Sequence, residues 1–140
     1  RNIPKQVEIF AEPGRYIVAD AAALVTTVIG QANRAGQDWL YLDVGVFQGL
    51  MECLEMEGWK YPIFSLGESG NSPAMPRHFV LTGPTCDAYD TIDLDVPLPS
   101  DVSVGDRICI ASAGAYSVVY GSEFNGFKVP KIKCINKEIK

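Results

Sequence analysis

The chain has 140 residues, 47% of them apolar and 21% charged, a balance that excludes a disordered tail or a fibre and fits one globular domain. At this length roughly 68% of the unfolded surface can be buried, so the core requires neither metal nor disulfide. Twelve Lys and Arg against seventeen Asp and Glu leave a net charge of −5, and the basic residues are dispersed except near the C-terminus, which argues against a nucleic-acid partner.

Residues 7–10 are expected as a short strand, stopped by the corner that Pro13 and Gly14 impose. The alanines of 19–23 suit one or two helical turns, and the β-branched run 24–29 suits a strand. A turn at 34–38 and a strand at 39–44 complete a hairpin. Phe47, Leu50, Met51 and Leu54 recur at i, i+3, i+4 and i+7, which predicts one amphipathic helix with Glu52 and Glu55 off its apolar face, ended by Gly58. The Gly-, Ser-, Asn- and Pro-rich stretch 65–76 reads as a surface loop. Strands are then expected at 78–82, 91–96, 107–111, 116–120 and 129–135, each bounded by Gly, Pro or Asp. Many short strands and few helices predict a mainly β fold, an antiparallel barrel or sandwich with one or two short helices, in which closure removes exposed edges.

Cys53, Cys86, Cys109 and Cys134 lie 33, 23 and 25 residues apart with no C-x-x-C pair and one histidine, His78, so no metal site is expected. No apolar run approaches the roughly 20 residues of a membrane span, and the N-terminus lacks the order of a secretion signal. A cytoplasmic protein with free thiols is the expectation. The opening RNIPKQVEIF, only a few residues before an apolar segment, suggests a piece of something larger.

Three regions place polar groups at glycine turns: Glu12-Pro13-Gly14-Arg15-Tyr16, Gly83-Pro84-Thr85-Cys86-Asp87, and Gly114-Ala115-Tyr116 with Phe124-Asn125-Gly126-Phe127. Any one alone is most often just a turn. Together, in order and spacing, EPGRY, GPTCD, GAY and FNGF resemble the fold type III pyridoxal-phosphate decarboxylases that act on ornithine, lysine, arginine or diaminopimelate, and the resemblance covers nearly the whole chain. It implies that residues 1–140 form the C-terminal β-barrel domain, of the alanine racemase/ornithine decarboxylase type. The N-terminal α/β barrel carrying the Schiff-base lysine is absent, so this piece alone should not decarboxylate.

The resemblance assigns Glu12 to the pyridine nitrogen of pyridoxal 5'-phosphate, where a carboxylate keeps the ring protonated and able to accept an electron pair. Gly14, Arg15 and Tyr116 would bind its phosphate: glycine lets backbone approach, and a planar guanidinium grips two oxygens better than lysine does. Cys86 matches the catalytic cysteine that returns a proton to Cα, a role within reach of a thiol whose ordinary pKa is about 8.5. Asp87 would pair with the far ammonium of a small basic amino-acid substrate. A second acid in the segment after Gly45 departs from the eukaryotic pattern; Glu55 is the choice, with Glu52 or Glu57 as substitutes. Phe124 matches an aromatic presented to the neighbouring subunit's site. A surface, core or helix-face role is the plain alternative for each of these side chains, and His78 receives none.

The family likeness implies a homodimer with shared active sites, in which Glu12, Gly14, Arg15 and Tyr116 serve one protomer's cofactor while Cys86, Asp87 and Phe124 complete the partner's site. The leading expectation is an ornithine or lysine decarboxylase producing putrescine or cadaverine for polyamine synthesis. One rival is a non-catalytic homologue that regulates by binding protein. A cysteine hydrolase built on Cys86 and His78 is weaker, because no third orienting group is identifiable.

Overall fold

The computed structural model describes residues 3–67 and 73–135. Six strands form one sheet: β1 (Leu24–Arg34), β2 (Gln37–Leu42), β3 (Ile63–Leu66), β4 (Pro76–Thr82), β5 (Thr91–Pro99) and β6 (Arg107–Ile110), in the order β3-β6-β1-β2-β4-β5. The two end strands approach each other, and Lys60 Nζ, just before β3, pairs with Asp93 of β5 at 3.0 Å. The sheet is therefore a nearly closed barrel. The expected barrel is borne out, with one parallel pair, β2 and β4, among antiparallel neighbours.

Alternation explains why these segments pleat. Leu24, Thr26 and Val28 of β1 point inward and are buried, whereas Val25 and Ile29 are half exposed. Leu40, Leu42, Phe79, Leu81, Ile108 and Ile110 have no exposed surface and form the centre of the core with Val46 and Leu50. The buried run Phe79-Val80-Leu81 marks β4 as a strand covered on both faces.

Several expectations change. Residues 7–10 form no strand: they pair with nothing in the sheet, and Ile9 and Phe10 are exposed. Residues 116–120 are not pleated either, because Tyr116 adopts φ +54°, in the left-handed region, and Val118–Tyr120 is a 3₁₀ turn. Residues 129–135 join no ladder. The helical turn foreseen at 19–23 starts earlier, as α1 (Arg15–Val18) continuing into the 3₁₀ turn Ala19–Ala21. The single helix over 47–54 is instead two separate turns, α2 (Val46–Gly49) and α3 (Glu52–Glu55), because the backbone leaves helical geometry at Gly49 and Leu50. That break buries Glu52 and leaves Leu54 exposed. The loop expected at 65–76 is shorter, since 65–66 belong to β3 and Pro76 begins β4, and its 68–72 lie outside the described residues.

Strand direction sorts the loops. Strands β2, β4 and β6 run one way, and β1, β3 and β5 the other. Segments 11–23, 43–62, 83–90 and 111–135 consequently meet at one rim, while 35–36, 67, 73–75 and 100–106 lie at the opposite one.

Candidate functional site

The residues given site roles in the sequence stand on loops or short turns of the first rim, and all but Glu12 and Glu55 fall in two clusters. The first surrounds Arg15. Its guanidinium lies over the ring of Trp59, 4.5 Å from the centroid, and 5.3 Å from that of Tyr116. Nη2 of Arg15 is ion-paired with Oε1 of Glu52. The other carboxylate oxygen of Glu52 accepts a hydrogen bond from the Tyr61 hydroxyl at 3.0 Å. Burial pushes the Tyr61 pKa up, reinforced by Cys53 and opposed by a hydrogen bond with Trp59 and by Arg15, so Tyr61 stays a neutral donor. Nη1 of Arg15 is buried with no hydrogen-bond partner.

The turn carrying Tyr116 is locked against the segment that follows α1. Gly114 N–H donates to Ala19 O (2.8 Å), Ala113 N–H to Ala22 O (2.9 Å), and Ser112 Oγ to Asp20 Oδ1 (2.7 Å). Gly114 is required there, because a Cβ would overlap the Val18 carbonyl. The same docking brings the Tyr116 hydroxyl 3.4 Å from where a Cβ on Gly14 would stand. The Tyr116 hydroxyl thus lies by the Gly14 backbone while its ring meets the Arg15 guanidinium, and these three groups are a set suited to a phosphate.

The second cluster surrounds Cys86, whose exposed Sγ accepts a hydrogen bond from Asn125 Nδ2 at 3.5 Å. Its loop is fixed by Asp90, 1% exposed. Oδ1 of Asp90 accepts Val46 N–H (2.7 Å), and Oδ2 accepts both the N–H and the hydroxyl of Thr85 (2.9 and 2.7 Å). Gly45 and Gly83 let the two loops touch; a Cβ on either would strike the Asp90 carboxylate and the other glycine's Cα. Asp87 is half-buried and accepts Tyr89 N–H at 2.8 Å, a local turn that leaves carboxylate surface outward. The Phe124 ring rests on Phe47, 4.5 Å between centroids.

The structure brings Gly14, Arg15 and Tyr116 together, and Cys86 together with the turn of Phe124 and Asn125. Glu12 and Glu55 are exposed and make no hydrogen bond or ion pair among the described residues. Sequence reasoning missed Trp59, Asp90 and the partnership of Glu52 with Arg15. Asp90 had a faint signal, a second aspartate three residues after Asp87 at the head of a strand; Trp59 and Glu52 had none, since their partner lies more than thirty-five residues away in the chain.

Residues 15–114 match the family described as pyridoxal-dependent decarboxylase, C-terminal sheet domain. The chain is 34% identical over 119 residues to the lysine/ornithine decarboxylase of Selenomonas ruminantium, covering 85% of this chain and 28% of that one. It is 35% identical over 135 residues to antizyme inhibitor 2 of Xenopus laevis, covering 87% and 29%. Among solved structures, the lysine/ornithine decarboxylase of Vibrio vulnificus complexed with cadaverine matches with a TM-score of 0.72 and 37% identity, over 90% of this chain and 33% of that one. The same enzyme has been solved with putrescine. The chain spans a third or less of the length of each of these relatives.

Proposed function

We propose, for a chain that belongs to the pyridoxal-dependent decarboxylases as their C-terminal sheet domain, that it completes the active site of an ornithine or lysine decarboxylase making putrescine or cadaverine for polyamine synthesis. The observation that carries this reading is the Arg15 cluster. A buried guanidinium edge without a partner, beside a glycine backbone and a tyrosine hydroxyl, fits the phosphate of pyridoxal 5'-phosphate.

When bound, the cofactor supplies a protonated ring that accepts the electron pair left by departing carbon dioxide. Arg15 and Tyr116 hold the phosphate, and Glu12, on the exposed segment before α1, keeps the ring nitrogen protonated. The Cys86 thiol holds the proton destined for Cα, with Asn125 orienting its sulfur. Asp87, with Glu55 as the second acid, takes the far ammonium of the substrate, and Phe124 excludes water. The family likeness supports a homodimer in which each protomer lends its cysteine cluster to the other's cofactor. The lysine that binds the aldehyde is supplied from outside residues 1–140, so the 140-residue piece alone releases no carbon dioxide. Because one methylene is worth only about 1–3 kcal/mol of discrimination, ornithine and lysine are both expected to turn over.

The test is the longer protein, purified and assayed with ornithine, lysine, arginine and diaminopimelate while the cofactor's absorbance is followed. Carbon dioxide release from ornithine or lysine is expected, and Cys86→Ala should impair protonation of the product more than cofactor binding. Cofactor absent and all four substrates inert would overturn the reading and favour the protein-binding regulator.

A further inference from the structure

We propose that Glu52 is the positioning residue of the phosphate grip: its carboxylate holds Nη2 of Arg15 and so sets Nη1 as the donor left for the phosphate. This rests on the cofactor reading above. An arginine side chain loses much rotamer freedom when held in one geometry, and Arg15 sits at the first residue of a four-residue helix behind an exposed segment. Something must hold it. Glu52 takes Nη2, the rings of Trp59 and Tyr116 flank the plane, and Nη1 is the donor left over, buried without an acceptor. A buried donor in that state is unfavourable until an acceptor arrives.

The same geometry removes Glu52 from the competition for substrate. It is 4% exposed, with one oxygen on Arg15 and the other receiving the Tyr61 hydroxyl. An ammonium could reach it only by displacing partners already inside the fold. The charge of Glu52 also repels a bound phosphate, so its removal has two opposed consequences. Loss of positioning weakens cofactor binding and, on this proposal, outweighs the repulsion relieved.

The experiment compares pyridoxal 5'-phosphate with pyridoxal, which lacks the phosphate, as ligands of the full-length apoprotein, titrated by absorbance for wild type, Glu52→Ala and Glu52→Gln. Glu52→Ala should weaken the phosphorylated cofactor about tenfold or more, in the range typical of losing a supporting partner, and leave pyridoxal unchanged. Glu52→Gln, which keeps a hydrogen-bonding oxygen, should recover part of the loss. At saturating cofactor the KM for the amino acid should stay at the wild-type value. Equal weakening of both ligands would mean a merely structural role, tighter binding of the phosphorylated form would mean a competitor for Arg15, and a raised KM alone would mean a substrate contact; each overturns the proposal. Should Glu52→Ala fail to fold, Tyr61→Phe, which frees the second oxygen of Glu52, is expected to give the same selective loss in smaller measure, and no phosphate-selective change would overturn the proposal. Wild-type protein binding neither ligand would instead sink the cofactor reading itself.

Discussion

The two rims of the barrel combine local and distant contacts in different ways. At the rim holding Arg15 and Cys86, polar groups meet across long stretches of chain: Ser112 with Asp20, Ser122 with Phe47, Val46 with Asp90, Asn125 with Cys86 and Arg15 with Glu52. At the opposite rim distant bonds also occur, as Arg77 with Asp38 and Ser100 N–H with Met75 O, but the turns themselves are stitched by bonds within a few residues. Asn33 Nδ2 donates to Asp38, Gly36 N–H donates to Asn33, and Ser103 N–H donates to Asp106. A turn stitched by its own neighbours is specified by short-range chemistry and can vary with little effect elsewhere. A rim made of distant segments exists only once the barrel has folded, and a change at one position there is felt at several.

The sharpest way to break that contrast is Gly83→Ala. A methyl group there overlaps the Asp90 carboxylate and the Gly45 backbone, neither of which is the free end of a flexible side chain. We expect a loss of about 3 kcal/mol or more in denaturant unfolding of the full protein, at the upper end of overpacking effects, with faster alkylation of Cys86 as its loop loosens. An effect below about 1 kcal/mol, the size expected of an ordinary surface glycine, would mean that the two rims are built alike.

A smaller effect is expected from Cys53, which lies at the same rim just inside α3. Burial, with the Asp93 carboxylate adding to it, pushes this thiol from 9.0 up to about 12. The folded state therefore keeps the proton that the unfolded chain gives up, and the associated stability is fully present below pH 9 and lost as the pH rises toward 12. The expected slope is about 1.4 kcal/mol per pH unit in that window. Cys53→Ala should remove this component from the alkaline limb of a stability profile while leaving neutral pH within about 2 kcal/mol of wild type. An unchanged alkaline limb would place Cys53 in water.

The same contrast explains what the sequence made legible. The β-branched run at 24–29 and the turn after it revealed β1, β2 and their hairpin, and β4, β5 and β6 were equally clear, because each is a local pattern with a local stop. The patterns at 7–10, 116–120 and 129–135 were as apolar yet form no strand. Apolar periodicity says that a residue can be covered and is silent on what covers it. Phe47, Leu50, Met51 and Leu54 keep helical spacing, but the break after Gly49 re-aims the next turn and carries Glu52 inward to an arginine thirty-seven residues earlier. Arg15, Tyr116 and Cys86 were found by their motifs. The groups that hold them in place, Glu52, Trp59 and Asp90, act through tertiary contacts that no short motif contains.

The mildest change tests the independence of the opposite rim. The β1–β2 hairpin turns through Ala35 and Gly36 at φ +50° and +83°, the pair of left-handed residues that a two-residue turn of this hand demands. Glycine meets the second requirement without strain, but alanine meets the first against its steric preference, whereas asparagine adopts it more readily. Ala35→Asn should therefore stabilise the protein by about 0.5 kcal/mol, seen as a small rise in denaturant midpoint with an unchanged slope. Cofactor affinity should be unaffected, because the barrel separates this turn from Arg15. A shift in cofactor affinity would show that the rims are coupled through the strands.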